Sequence, residues 1–161
     1  MIIVNGYKCF NEGLITRYND KLEVGKVYHA DGAIKFNKSG FHMCLNLEDT
    51  LRYFDAFKSE INIANVTGFG NIFEYNDEYN GFYDMYSVEY IRINSILTRE
   101  DIIKYALKLP AYRAKRFISL YKLMDVEIEL FKNIFINEID VIDAINYYQD
   151  CNSQIYIKKK K

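Results

Sequence analysis

Tryptophan is absent from these 161 residues, proline occurs once, at Pro110, and cysteine only at Cys9, Cys44 and Cys151. An odd number of cysteines without regular spacing argues against a secreted disulfide framework and leaves reduced thiols as the default, which points to the cytoplasm. No apolar run approaches the ~20 residues that cross a bilayer. The opening Met1-Ile2-Ile3-Val4 is too short, and lacks the basic start, for a signal peptide, so no membrane insertion is expected. The formal net charge of −1 lacks the basic footprint of a dedicated nucleic-acid binder. No glycine-rich phosphate loop precedes a helix, because Gly68-Phe69-Gly70 leads into a strand pattern, and nucleoside-triphosphate chemistry is disfavoured.

What is present is an aromatic-rich composition, with 15 Tyr and 11 Phe. The abundance of Asn, Ile, Lys and Tyr is what an AT-rich genome encodes, which suggests a low-GC bacterium or its phage. Length allows one ordinary domain, or a small domain with a helical appendage. Charge is uneven: residues 98–161 hold 12 Lys/Arg against 9 Asp/Glu, net +3, and residues 1–97 are net −4. Four of those basic residues are Lys158-Lys159-Lys160-Lys161, which reads as a solvated end.

The patterning predicts an α+β chain, strand-rich over 1–97 and all-helical over 98–161. Met1–Val4 and Tyr7–Phe10 read as two short strands broken by Asn5-Gly6. Val24–His29 and Ala33–Phe36 read as a hairpin around Asp31-Gly32, and Phe41–Cys44 as a further strand. Asn46 is placed to cap a helix over about 47–57, with Leu47, Leu51 and Phe54 at helical spacing. Ile61–Ala64 and Asn71–Tyr75 read as strands about a turn at Gly68 to Gly70, and Asn76–Gly81 as an acidic loop. Over Met85–Ile93 the alternation puts Ser87, Glu89, Ile91 and Ile93 on one face. Thr98 with Asp101 opens a helix that Pro110 ends. Further helices are expected over 111–124, 126–135 and 139–148, packed on the sheet or on one another.

Several stretches carry a resemblance. The run Gly40-Phe41-His42-Met43-Cys44, a helix reaching Tyr53, then Ile61–Gly68, Ile72–Tyr75 and Ser87-Val88-Glu89-Tyr90-Ile91, resembles in order and spacing the core of ADP-ribosyltransferases of the poly(ADP-ribose) polymerase type, over residues 6–97. The resemblance implies a split sheet with one inserted helix, NAD as cofactor and a host protein as target. It implies Glu89 as the catalytic carboxylate that holds the ribose 2′-hydroxyl and stabilises the oxocarbenium-like state as nicotinamide leaves. It implies His42, where the family has Tyr, and Tyr53 as the nicotinamide slot, and Lys8, where the family has His or Arg, near the ribose. Separately, Tyr7-Lys8-Cys9-Phe10, Tyr18, Val24-Gly25-Lys26 and Gly40–Cys44 resemble short, uncharacterised bacteriophage and prophage proteins.

Each of these residues also has a plainer reading. Glu89 can be a rim carboxylate paired with a lysine, His42 a satisfied histidine beside Phe41 and Met43, Tyr53 a core aromatic, and Lys8 a solvated strand end. On those readings the protein is a non-catalytic interaction or inhibitor protein of a phage that blocks a host factor. Cys9, Cys44, His29 and His42 are metal-ligand types, but no Cys-x-x-Cys or His-x-x-x-His spacing occurs, and no metal is expected. Tyr112–Phe117 is a basic, aromatic-flanked helix face, at least as compatible with solvent as with nucleic acid or an acidic partner.

Overall fold

The computed structural model describes residues 2–35, 39–54, 56–57, 59–76 and 84–150. The chain divides into two compact units, Met1–Phe54 with Ser59–Leu97, and Asp55–Lys58 with Thr98–Lys161. The first is a five-stranded antiparallel sheet with a short helix, and the second is helical, so the chain is α+β.

Unit 1 is built from β1 (Ile3–Asn11), β2 (Val27–His29), β3 (Phe41–Cys44), a 3-10 helix (Leu47–Tyr53), β4 (Ile61–Asn76) and β5 (Asp84–Ile96). The order is β2-β5-β3-β1-β4, and β4 also pairs with β5, so β1, β3, β5 and β4 close on themselves. Alternation decides what they enclose. Phe10, Met43, Ala64, Val66, Val88, Ile91 and Ile93 pack inward with Leu14 and Leu22 as one core. Each large side chain of that set contributes about 1.5–3 kcal/mol by leaving water.

Several expected elements merge. β1 runs unbroken through Asn5-Gly6, because Gly6 permits a close approach to the Cys44 carbonyl that a side chain would block. β4 likewise runs through Gly68 and Gly70 without turning. A Cβ on Gly68 would stand 2.6 Å from Val88 Cγ1 and 2.8 Å from Met43 Sδ, so its absence lets the strand press on the core. Gly70, with φ +85°, gives β4 a register shift instead of a reversal. The expected hairpin over 24–36 does not form among the described residues, since β2 covers only Val27–His29 and pairs with β5. The helix after Asn46 is 3-10 and ends at Tyr53; Asn46 makes no side-chain cap and donates instead to the Asp49 carboxylate at 3.1 Å. The expected loop after Asn76 lies outside the described residues.

Unit 2 holds α1 (Arg99–Ala106), α2 (Ala111–Leu120), α3 (Asp125–Ile134), α4 (Ile139–Ala144) and a π-helical turn (Ile145–Asp150). Thr98 and Asp101 form the expected reciprocal cap, and Pro110 precedes α2. Phe131 stacks between Phe117 and Phe135. The buried Gln149 amide donates to the carbonyls of Ile118 and Tyr121 and accepts from Leu123 N–H, which satisfies the end of α2. Arg99 meets both carboxylate oxygens of the buried Glu127 at 2.7 Å. No helix among the described residues is long and apolar enough to cross a membrane.

Candidate functional site

β1 and β3 register at Tyr7 opposite Cys44, while the neighbouring Lys8 reaches past this pairing to donate to the His42 carbonyl at 2.7 Å. Beside this junction lies a cleft of about 430 Å³, inside the ~300–1,000 Å³ usual for small-molecule sites. Its floor comes from β1 and β3, and the 3-10 helix supplies Tyr53 on one wall. The loop after β1 supplies Arg17, Tyr18 and Asp20 on another.

Lys8, His42 and Tyr53, three of the four residues implied by the resemblance, line this cleft together. Lys8 alternates onto the same strand face as Phe10 and is half-buried, 5.6 Å from that ring's centroid. Burial pushes its pKa down to about 8, against the pull of the Cys44 and Cys9 thiols. His42 is lowered to about 4 by burial, then by the charges of Lys8 and Arg17, so it is neutral at physiological pH. Its buried Nε2 has no hydrogen-bond partner, and neither does Oγ of Ser87, its register partner on β5. Such orphaned polar atoms are costly unless something else meets them. Tyr53 carries the Arg17 guanidinium 5.4 Å from its ring centroid. Cys9 and Cys44 are buried at the floor and form no disulfide, and burial raises Cys9 to about 12, which keeps it protonated and inert.

Glu89 is the exception: it does not line the cleft, and the shared face expected for Glu89, Ile91 and Ile93 is not formed. Phe69 pairs with Tyr90 and Ile72 with Val88, so Gly70 and Asn71 of β4 together oppose Glu89 alone. At this bulge the inward set changes from Val88 to Ile91, and Glu89 is turned away from the core. Its carboxylate accepts the Asn71 N–H at 2.9 Å and stands 3.4 Å from His29 Nε2. The sheet order nevertheless sets Lys8, His42 and Glu89 on three adjacent strands, β1, β3 and β5.

Arg17, Tyr18 and Asp20 were not legible as site residues. The only local signal is the turn-forming run Thr16 to Asp20, which marks a bend without saying what it faces. Unit 1 is acidic by composition, yet two cations, Lys8 and Arg17, and one carboxylate, Asp20, line its cleft. With aromatic walls, that arrangement suits a ligand combining a flat ring and an anionic group. Among the described residues no three His, Cys, Asp or Glu side chains gather as a metal site.

Residues 4–102 match the model of a family described as a domain of unknown function (DUF7666), a span that covers unit 1 from β1 to the first turn of α1. No curated protein and no solved structure matches the chain.

Proposed function

We propose, from the premise that the chain belongs to the DUF7666 family, that its strand domain is an ADP-ribosyltransferase-like module that binds the nicotinamide end of NAD and does not turn it over in the arrangement described. The observation that carries this reading is the convergence of Lys8, His42 and Tyr53 on a cationic, aromatic-walled cleft. In it, Tyr53 flanks the pyridine ring, His42 lines the slot beside it, and Lys8 faces the ribose and its phosphate. NAD, when bound, supplies the activated nicotinamide–ribose bond. Cleaving that bond calls for a carboxylate at the ribose to stabilise positive charge, and Glu89 is held instead by Asn71 and His29.

That engagement favours a phage or prophage protein that acts on a host protein by occupancy rather than by modification. Calorimetric titration with NAD tests the module: binding by wild type, weakened in Lys8→Met and His42→Ala and unchanged in Glu89→Gln, is expected. Absence of binding by wild type rejects the class. Release of free nicotinamide by wild type, abolished in Glu89→Gln, refutes the binding-only form.

A further inference from the structure

The cleft wall contributed by the loop after β1 is a fixed piece of backbone. Thr16, itself buried, accepts at Oγ1 from the N–H groups of Tyr18, at 3.2 Å, and Asp20, at 3.1 Å. Its own N–H donates to the Asp20 carbonyl at 2.8 Å, and its carbonyl accepts from Asn19 N–H at 3.1 Å. Asn62 Oδ1 ties the base of the loop by accepting from Gly13 N–H at 2.8 Å. Leu14 and Asn19 both adopt positive φ, 60° and 67°, a conformation that non-glycine residues hold only when their surroundings over-determine it. The loop is therefore a hook around Thr16, with Arg17 and Tyr18 at its tip.

What the tip does follows from where Arg17 rests. Its guanidinium lies against the ring of Tyr53, and both residues line the cleft. A planar cation thus occupies the aromatic surface that a ligand ring would need. Arginine on an exposed aromatic face is held weakly compared with a bidentate, charge-assisted bond to phosphate.

We propose that Arg17 is a phosphate-dependent gate on the Tyr53 wall: a phosphorylated nucleoside draws the guanidinium off the ring and onto its phosphate, opening the wall to its own base. The substrate class of the cleft is accordingly a nucleoside phosphate, with Lys8 as the second cation beside it. An unphosphorylated nucleoside has to displace the guanidinium without offering it a partner, and it binds poorly for that reason. This inference rests on the nicotinamide reading of the cleft and adds to it a residue, a ligand class and a direction of discrimination.

Removing Arg17 then has opposite effects on two ligands that share one base. Nicotinamide mononucleotide and nicotinamide riboside are titrated into wild type, Arg17→Ala and Arg17→Lys, with thermal unfolding midpoints confirming that each variant is folded. The expected result is a mononucleotide affinity at least tenfold lower in Arg17→Ala, with riboside affinity unchanged or higher, and an intermediate mononucleotide loss in Arg17→Lys. Equal losses for both ligands, or no loss for either, overturn the gate while leaving the nicotinamide cleft standing. Binding of neither ligand by wild type removes the cleft reading and the gate with it.

Discussion

If the ammonium of Lys8 is what an anionic ligand meets, affinity has to follow the protonation of a lysine that titrates far below its usual range. Burial brings Lys8 from 10.5 to about 8. At pH 7 about nine in ten molecules carry the charge, and at pH 9.5 only about three in a hundred do. Affinity for nicotinamide mononucleotide should therefore fall roughly 30-fold between these two pH values, equivalent to about 2 kcal/mol. Most lysines, unshifted, produce no such slope in this window. Calorimetric titration at constant ionic strength reads the effect directly, and repeating it at pH 8 in buffers of different ionisation enthalpy should reveal uptake of about half a proton per ligand bound. An affinity flat from pH 7 to 9.5, or one that falls equally in Lys8→Met, refutes the assignment.

The same shift has a consequence for stability with a defined sign. A base whose folded pKa is depressed binds fewer protons in the folded state than in the unfolded state between the two values. For Lys8 that window runs from about 8 to 10.5, and there stability rises with pH. The full shift corresponds to at most about 3 kcal/mol, an upper bound because solvent reaches a half-buried ammonium. Lys8→Met removes this rising limb in urea unfolding measured at pH 7.5 and 10. It leaves the His42 carbonyl without the 2.7 Å bond from Nζ, which offsets part of the relief at pH 7.5.

Three further outcomes follow from named contacts. His42 is neutral in the fold down to about pH 4, so acidification from 6.5 to 4 protonates the unfolded chain first and lowers stability by about 1 kcal/mol after solvent screening; His42→Gln should flatten that part of a pH-dependent unfolding series. Gly6→Ala drives a Cβ into the Cys44 carbonyl where β1 meets β3, and urea unfolding should register a loss of about 2–3 kcal/mol, whereas a neutral result shows that the two strands part easily. Glu127→Ala leaves Arg99 without its bidentate partner and strips the Met124 N–H of its acceptor, which should cost about 2 kcal/mol given that Arg99 is partly exposed.

The elements whose physics is local were legible in the residues. Thr98 and Asp101 cap each other across one turn, and the apolar stripes of α1 to α4 report their own periodicity. The strand segments outside the expected 24–36 hairpin were legible too, but their ends were not, because glycine has opposite meanings depending on what lies across the sheet. Gly6 and Gly68 read as breaks by composition and instead allow the strand to press on Cys44 and on Val88 and Met43. Lys8, His42 and Tyr53 come together because β1 and β3 are neighbours in the sheet and the 3-10 helix follows β3 directly.

Glu89 shows where such reasoning has to stop. Its predicted face assumes that alternation runs unbroken from Ser87 to Ile93, a property of β5 alone. The face it adopts depends on how many residues β4 sets opposite it, and that count is fixed by Gly70 at φ +85°, nineteen positions earlier in the chain. A single extra residue on the partner strand changes which side chains point inward. The register of a strand is thus a property of the pair. Had Glu89 kept the phase of Ile91 and Ile93, a carboxylate would lie in the apolar core with Val88, where burial would disfavour its charge. The bulge avoids that cost by turning Glu89 toward Asn71 and His29, and the same turn keeps its carboxylate out of the cleft.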